Sequence, residues 1–222
     1  DRFKKAKGRW NSWADLWEEI YDYVLPHRES FFQESSATRR TENIYDETAV
    51  VGLPKFASRL QLGFFPPNGR AFRLQPGPEF PKELMGSGLQ EELDKITDLL
   101  HEGLRNSNFN AEMHEGLQDL GIGTMNLLCE EGRFQGDLHF SSVPPTNLAL
   151  LPGRMDGVSD WFRWNDYMDI TEVKHRYPKA KYTEKMASEQ KRNPKRKTKI
   201  VEATVYDEQD KYEKHPIHLC FA

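Results

Sequence analysis

The spacing of apolar residues changes partway along the chain, and this change limits the folds that the chain can adopt. Before about Gly132, apolar residues recur at every third or fourth position, as one face of a helix requires. After it, apolar and polar residues alternate over short stretches, as in strands with one buried face. Helices followed by hairpins predict an α+β fold and not a parallel sheet of alternating strands and helices.

The first predicted helix has a strongly apolar stripe. Asn11 or Ser12 is placed to cap its first turn, and Pro26 ends it. The stripe consists of Trp10, Trp13, Trp17, Ile20, Tyr21 and Val24. Three tryptophans on one stripe favour packing into the core, and docking against a neighbouring subunit is the second interpretation.

Three more helices are predicted before Gly132. Asp46 caps the second helix, Pro54 is expected to bend it, and the turn at 66–69 ends it. A short strand is predicted at 72–74. The third and fourth helices follow, the third opened by a capping box of Ser87 and Gln90 and the fourth containing glycines that indicate close packing, Gly121 and Gly123.

The second part of the chain reads mainly as strands. A hairpin is predicted from 148–151 and 158–164, then a short helix from Asp169 to Tyr177 opened by a capping box of Asp169 and Glu172. A charged loop is predicted at 179–199, followed by two strands around 201–205 and 217–221. We therefore divide the chain into a mainly helical part, 1–131, and a β-rich part, 132–222.

Composition excludes some classes of protein. The net charge of -4 and the pI of about 6.0 do not fit a protein that grips DNA tightly through its phosphates. Two cysteines are too few for a disulfide framework, and no apolar run is long enough to span a membrane, so we expect synthesis in a reducing cytoplasm.

Because the chain starts at Asp1 without a methionine and stops at Ala222 inside an apolar run, we expect it to be a piece of a longer protein.

The residues do not predict catalytic chemistry. The sequence contains no phosphate-binding loop, no metalloprotease motif and no nucleophile motif. Zinc needs about four ligands, and His215, His218 and Cys220 have only the remote Cys129 to complete a set, so we predict no metal and no cofactor. Acidic clusters are interpreted as solvated helix faces: 18–19, 91–94 and 130–131.

One basic cluster is the candidate nucleic-acid contact. Its members are Lys191, Arg192, Lys195, Arg196 and Lys197. A solvated loop is the first interpretation, and a weak contact to phosphates without sequence preference is the second. Aromatic residues, which would stack on unpaired bases, are not interleaved with these charges.

Several segments, taken in order, resemble one family. They are residues 43–49, which contain Tyr45 and Asp46, residues 56–60, and residues 65–74, which contain Pro66 and Pro67. Ser107-Asn108-Phe109 and the glycine-rich stretch 120–124 follow. Their order and spacing, from about Trp10 to Phe221, resemble the portal proteins of short-tailed bacteriophages, the head-to-tail connectors.

This resemblance implies a structural protein and no enzyme. It implies a closed ring of about twelve copies at one capsid vertex, with a channel for double-stranded DNA during packaging and ejection. The implied partners are the capsid and scaffold proteins, the terminase and the tail adaptor, and the implied location is the virion, after assembly in the host cytoplasm. The chain would form the wing region, with most of the stem, clip and crown beyond Ala222. Another virion protein such as a tail adaptor or scaffold remains an alternative, and a hydrolase is a more remote one.

Overall fold

The structure is a computed structural model of the chain. It describes residues 1–26, 44–67, 69–78, 87–132, 137–152, 159–177, 184, 188, 191–193, 195–206 and 216–221. Within these ranges, four of the five principal helices precede all six strands, and every paired strand is antiparallel. The predicted α+β class is therefore confirmed.

The chain forms two compact units that do not follow one another along the sequence. One unit comprises Asp1–Leu16 and Thr146–Ala222, and the other comprises Trp17–Pro145. Helix α1 (Arg2–Val24) contributes residues to both units. The division into a helical part and a β-rich part at residues 131 and 132 describes secondary structure, and its assignment to a portal wing stays a prediction.

Helix α1 begins at Arg2, well before the predicted cap at Asn11 or Ser12, so that prediction was wrong. The Ser12 hydroxyl donates to the Arg9 carbonyl oxygen at 2.7 Å, a bond inside the helix and not a cap. The first turns are rich in lysine and arginine, which favour helix without producing an apolar stripe. Apolar spacing alone therefore could not locate this start.

The 17–145 unit is built on a helix pair and a hairpin. Helix α2 (Thr48–Phe64) packs on α4 (Phe109–Ile122), and α3 (Ser87–Asn106) also contacts α4. Strands β1 (Leu127–Glu131) and β2 (Leu138–Ser142) form the hairpin, with Cys129 opposite Phe140. Strand β1 was not predicted, and Pro54 lies within α2, where the predicted bend stays a prediction.

The core of this unit is a cluster of aromatic and aliphatic side chains. The ring of Phe109 stands edge-on to two others, with its centroid 4.8 Å from Phe65 and 5.0 Å from Phe140. Edge-to-face pairs of this kind add to the stabilisation from apolar burial. The buried members of the cluster are Ala57, Phe109, Met113, Leu117 and Phe140.

The other unit contains a four-stranded antiparallel sheet in the order β3-β4-β5-β6. Its strands are β3 (Leu148–Pro152), β4 (Ser159–Asp169), β5 (Lys197–Tyr206) and β6 (Pro216–Phe221). The predicted hairpin of β3 and β4 and the predicted strands β5 and β6 are confirmed. A charged loop was predicted at 179–199, but residues 184, 188, 191 and 192 are helical and β5 begins at Lys197, so the prediction was wrong at these positions. Residues 179–183, 185–187, 189–190 and 194 lie outside the described residues.

The first turns of α1 cover this sheet with aromatic rings. Trp10 stands edge-on to Trp164 of β4 at 5.2 Å between centroids, and Phe3 contacts Phe162 at 5.7 Å. The Lys7 ammonium group lies 3.4 Å from the Trp10 ring centre and 3.6 Å from that of Trp164, within cation–π range. Trp10 is therefore a core residue, as the first interpretation had it, whereas Trp13 of the same stripe is 55% exposed, so that interpretation was wrong for Trp13.

A short helix, α5 (Ile170–Arg176), follows β4 directly. Asp169 is its N-cap residue as predicted, but the Asp169 side chain makes no capping hydrogen bond, so the predicted capping box does not form. The helix is instead anchored by the amide of Ile170, which donates to the Arg196 carbonyl oxygen, and by apolar contacts of Val173. Tertiary contacts replace the local cap at this site.

Candidate functional site

The basic cluster leads into β5, whose first residue is Lys197, the last member of the cluster. All five side chains are exposed: Lys191, Arg192, Lys195, Arg196 and Lys197. The Arg196 amide donates to the Asn193 carbonyl oxygen at 3.1 Å, which closes a turn, and Lys197 pairs with Asp169 in the sheet register. The backbone on the C-terminal side of the cluster is therefore fixed to the sheet, while its cationic groups face solvent. This arrangement permits contact with a polyanion.

Asp46 fixes the beginning of α2. Its carboxylate accepts hydrogen bonds from the Thr48 hydroxyl at 2.6 Å and from the Thr48 amide at 2.9 Å. These two bonds lower the pKa of Asp46, the hydroxyl contributing most. The predicted capping function is confirmed, although Glu47 and not Asp46 occupies the N-cap position. The neighbouring Tyr45 side chain is almost fully exposed, at 96%.

Pro66 and Pro67 lie where α2 gives way to a turn. The helix ends at Phe64, and the Phe65 amide donates to the Gln61 carbonyl oxygen at 2.8 Å. The Gly69 amide then donates to the Pro66 carbonyl oxygen at 3.2 Å. A Cβ atom on Gly69 would stand 2.7 Å from Pro66 Cγ, so the turn needs glycine there. The predicted stop is confirmed, and it directs the chain onto α3.

The segment from Arg70 to Leu74, which we call the strap, lies along α3 and is not a strand, so the prediction of a strand at 72–74 was wrong. Two of its backbone amides donate to side chains of the helix, Ala71 to Nε2 of His101 at 2.9 Å and Leu74 to Oγ1 of Thr97 at 3.1 Å. The Phe72 ring stacks on the His101 ring with centroids 4.2 Å apart. Side chains thus take the place of a partner strand.

Two arginines of the strap bind two carboxylates of α3. Arg70 donates two hydrogen bonds to Asp98 at 2.8 and 2.9 Å, and Arg73 donates two to Asp94 at 2.7 Å each. The bond from Arg73 is the main cause that lowers the pKa of the Asp94 carboxyl, and the pKa of Arg73 is raised in return. Two-pronged pairs of this kind fix both position and orientation.

His101 and Thr97 were not identified from the sequence. His101 Nδ1 lies 2.8 Å from the Thr97 carbonyl oxygen, so this nitrogen carries the proton and Nε2 is left to accept from the strap. Both residues are buried although they are polar. The sequence does contain a signal for this contact. Asp94, Thr97, Asp98 and His101 share one side of α3, and Arg70 and Arg73, which pair with the two aspartates, are three positions apart.

Asn108 connects the start of α4 to β2. Its side-chain amide donates to the Phe140 carbonyl oxygen at 2.7 Å, and its oxygen accepts from the Phe140 amide at 2.8 Å. Glu112, one turn later, accepts from the Ser142 amide at 2.6 Å. The Ser107-Asn108-Phe109 motif therefore places a hydrogen-bonding side chain and a core aromatic side by side.

The glycine-rich stretch at the end of α4 is a packing site, as predicted. A Cβ atom on Gly121 would overlap Leu53 Cδ1 of α2, and one on Gly123 would stand 3.1 Å from the Trp17 indole nitrogen. Nearby, the Tyr21 hydroxyl donates to the buried Asp119 carboxylate at 2.7 Å. The stretch lies at the end of a helix and does not follow a strand. Its glycines allow side chains of other helices to pack closely against it.

The acidic clusters lie on different elements, and Glu130 and Glu131 are on strand β1 and not on a helix face as predicted. Glu91, Glu130 and Glu131 are exposed, while Asp94 is held by Arg73. Among the residues that the structure describes, no group of three or more His, Cys, Asp or Glu side chains is placed to hold a metal ion. His215 and the side chains of His218 and Cys220 lie outside that description.

Across the same described ranges, no helix combines the length and apolar character needed to cross a membrane. Most of the exposed large apolar side chains lie instead on helices: Trp13, Leu16 and Tyr23 on α1, Val51, Phe56, Leu62 and Phe64 on α2, and Ile96, Leu99 and Leu100 on α3.

Comparisons with known proteins agree with these features. Residues 1–217 match the family model described as bacteriophage head to tail connecting protein. A relative named probable portal protein, from Bordetella phage BPP-1, is 28% identical over 122 residues, which cover 54% of this chain and 22% of that protein. The matched stretch is thus about a fifth of that relative's length. Because the family model covers nearly the whole sequence, the chain belongs to the bacteriophage head to tail connecting protein family.

Proposed function

We propose that this chain is part of a phage portal ring of the short-tailed type, located at one capsid vertex of the virion after assembly in the host cytoplasm. The observation that carries the proposal is the family match over residues 1–217. The name of the Bordetella phage relative, probable portal protein, supports it. The six strands among the described residues also fit a portal wing better than a mostly helical tail adaptor.

The ring is a closed cyclic assembly of about twelve copies joined by heterologous contacts. It surrounds a channel for double-stranded DNA and docks the capsid and scaffold proteins, the terminase and the tail adaptor. The chain itself performs no catalysis in this proposal, and the ATP-driven step of packaging belongs to a separate protein. The lack of a phosphate-binding loop in the sequence is consistent with that division.

A net charge of -4 suits a conduit through which DNA slides. Each phosphate contact adds affinity that salt weakens, so a protein with few such contacts lets the duplex move. The basic cluster at 191–197 is proposed to make weak contacts without sequence preference. Retention of DNA by the isolated ring at physiological salt would contradict this part of the proposal.

Electron microscopy of the complete gene product, purified alone and viewed along its axis, tests the proposal directly. Rings with a central hole and about twelvefold symmetry are the expected result. Monomers or dimers at every protein concentration and salt concentration would overturn it. A metal-dependent hydrolytic activity that disappears when one carboxylate is changed would favour an enzyme instead.

A further inference from the structure

Among the described residues, helices α1, α2 and α3 carry exposed apolar side chains, and on α1 and α3 neighbouring ones share one helix face. On α1, Trp13 and Leu16 are 55% and 47% exposed, and both belong to the unit that contains residues 1–16. On α3, in the other unit, Ile96 and Leu99 are 45% and 66% exposed. Exposed apolar side chains grouped on one helix face mark interaction sites more often than isolated ones do.

Both groups form stripes with the same spacing. Arg9, Trp13 and Leu16 are separated by four and three positions, and Lys5 extends the stripe one turn earlier. Glu92, Ile96 and Leu99 are separated by four and three positions as well. Positions three and four apart share one helix face, so each stripe is a continuous strip of apolar surface with charge at one end. We call them the α1 stripe and the α3 stripe.

The opposite faces of these helices pack inside their own units. Ala6, Trp10 and Ala14 are the buried residues of α1 in its unit, and Thr97 and His101 are the buried residues of α3. The strap occupies the side of α3 that carries Asp94, Thr97, Asp98 and His101. Each stripe therefore lies on a face that the unit's own packing does not use.

The charges around the two stripes are opposite. The first sixteen residues contain five basic and two acidic side chains. Asp94 and Asp98 of α3 are bound by the strap, and the rest of α3 has three acidic side chains, Glu91, Glu92 and Glu102, and two basic ones, Lys95 and Arg105, with Lys95 donating to Glu92 at 2.7 Å. At the stripes themselves, Lys5 and Arg9 stand at one end of the α1 stripe and Glu92 at one end of the α3 stripe. Pairing two α1 stripes in the same direction would bring lysine and arginine together, and pairing two α3 stripes in the same direction would bring carboxylates together. Like charges facing each other disfavour both pairings.

We propose that the α1 stripe of one copy docks on the α3 stripe of the next copy. The occupant of each stripe is therefore a second copy of this chain. Such a contact joins two different surfaces, so repeated copies continue around a ring instead of stopping at a dimer. Trp13 is the expected anchor, because tryptophan is the residue type most enriched among those that dominate interface energies. This inference rests on the proposed ring and names the surfaces that close it.

Cysteine cross-linking tests the contact with small substitutions. Leu16→Cys and Leu99→Cys are introduced together into the complete gene product, with Cys129 and Cys220 replaced by serine. Oxidation is expected to link copies into a ladder that ends at the closed ring. The matched control pairs Leu16→Cys with Glu91→Cys, an exposed position of α3 outside the stripe. A ladder from the control pair alone, or self-linking by Leu16→Cys alone, would overturn the proposal.

Substitution of the stripes gives an independent readout. Trp13→Glu and Leu99→Glu are each expected to weaken ring association roughly tenfold or more, because a carboxylate replaces an apolar side chain that the contact buries. Arg9→Glu and Glu92→Arg should each weaken it less, and together they should restore it. The control is Leu62→Glu on α2, whose side chain is 58% exposed outside both stripes. Unchanged helical circular dichroism shows that each variant folds.

The outcomes separate this inference from the proposed function. Rings that persist with Trp13→Glu and Leu99→Glu, and that give no ladder with the cysteine pair, overturn the stripe contact and leave the ring intact. Failure of the unsubstituted protein to form rings overturns both. Rings that dissociate with either stripe variant but not with Leu62→Glu support the proposed contact.

Discussion

Asn108 connects α4 to β2 through a single side-chain amide that both donates to and accepts from the backbone of Phe140. Asparagine is suited to this because its amide carries a donor and an acceptor side by side, as a neighbouring strand would. The following residue, Phe109, enters the core of the same unit. A motif of three residues thus supplies both a hydrogen-bonding anchor and apolar packing.

Replacing Asn108 by alanine should lower the free energy of unfolding by about 1–3 kcal/mol, because the amide and carbonyl of Phe140 lose their partners in a partly buried position. Denaturant unfolding followed by circular dichroism measures the change. Asn110→Ala is the control: its side chain is exposed, and the Asn110 carbonyl oxygen that accepts from Gln61 is retained. Equal losses in the two variants would show that the contact to Phe140 contributes nothing specific.

Gly121 and Gly8 lie in helices but should respond to alanine in opposite directions. Gly8→Ala should stabilise the protein by about 0.5–1 kcal/mol, since nothing stands within 4 Å of the added Cβ and alanine favours helix. Gly121→Ala should destabilise it by about 1–3 kcal/mol, because the added Cβ overlaps Leu53. Thermal unfolding compares the two. A stabilising Gly121→Ala would mean that α2 and α4 move apart without cost.

At the scale of the element, the strap is held by charges that acid can remove. The pKa of Asp94 is lowered, chiefly by the hydrogen bond from Arg73, so the contribution of this pair is present above the carboxyl's ordinary pKa and is lost as pH falls through the lowered value. Asp98, which pairs with Arg70 of the strap, and His101, which accepts from the Ala71 amide, also face the strap. Acid should therefore release the strap from α3.

Hydrogen exchange of the Leu74 amide, which donates to Thr97, reports this release. We expect its protection to fall between neutral pH and the acidic range below the ordinary carboxyl pKa, after correction for the intrinsic exchange rate. Asp94→Asn should show low protection already at neutral pH and a weaker dependence on pH. Glu91→Gln, an exposed neighbour, is the control and should behave as the unsubstituted protein. Unchanged protection of Leu74 in Asp94→Asn would contradict the assigned role of Asp94.

The strap also shows where sequence prediction stops. The alternation at 72–74 fits a strand, but a strand needs a neighbouring backbone, and here His101 and Thr97 supply the acceptors instead. The same limit applies to α3, whose apolar spacing correctly predicted a helix but not which side is buried. Ile96 and Leu100 are exposed, whereas Thr97 is buried. The spacing of apolar residues shows which positions share a helix face. Only the tertiary contacts determine whether that face is buried.

Other elements followed directly from local chemistry. Asp46 before α2 and the proline pair after it were identifiable because a cap and a stop depend on adjacent residues. The hairpins of the sheet were identifiable from alternation alone. The basic cluster was found as a charge pattern, and the structure adds that its members are exposed and that its last residue begins β5. Its contact with DNA stays a prediction.

At the scale of the whole molecule, the proposed DNA conduit would have to limit its own affinity for phosphate. The chain as a whole is acidic, while five of the seven positions from 191 to 197 are basic. These charges are exposed and lie together, so any residual affinity for DNA should come mainly from them. The affinity should be weak and should fall steeply with salt, because it depends on released counterions.

Binding of duplex DNA to the purified ring, measured over a range of low salt concentrations, tests this distribution of charge. Replacing Lys191, Arg192 and Lys195 by glutamine should lower the affinity and reduce the slope of log affinity against log salt by about 0.9 for each phosphate that is no longer neutralised. Unrelated duplex sequences should respond alike. The control replaces three exposed basic residues elsewhere by glutamine, Lys4, Lys55 and Arg59, and changes the net charge equally. If both triple variants reduce the slope to the same extent, net charge and not the cluster governs binding. If only the first does, the residual affinity for DNA is localised at the cluster before β5, as a ring that makes few phosphate contacts requires.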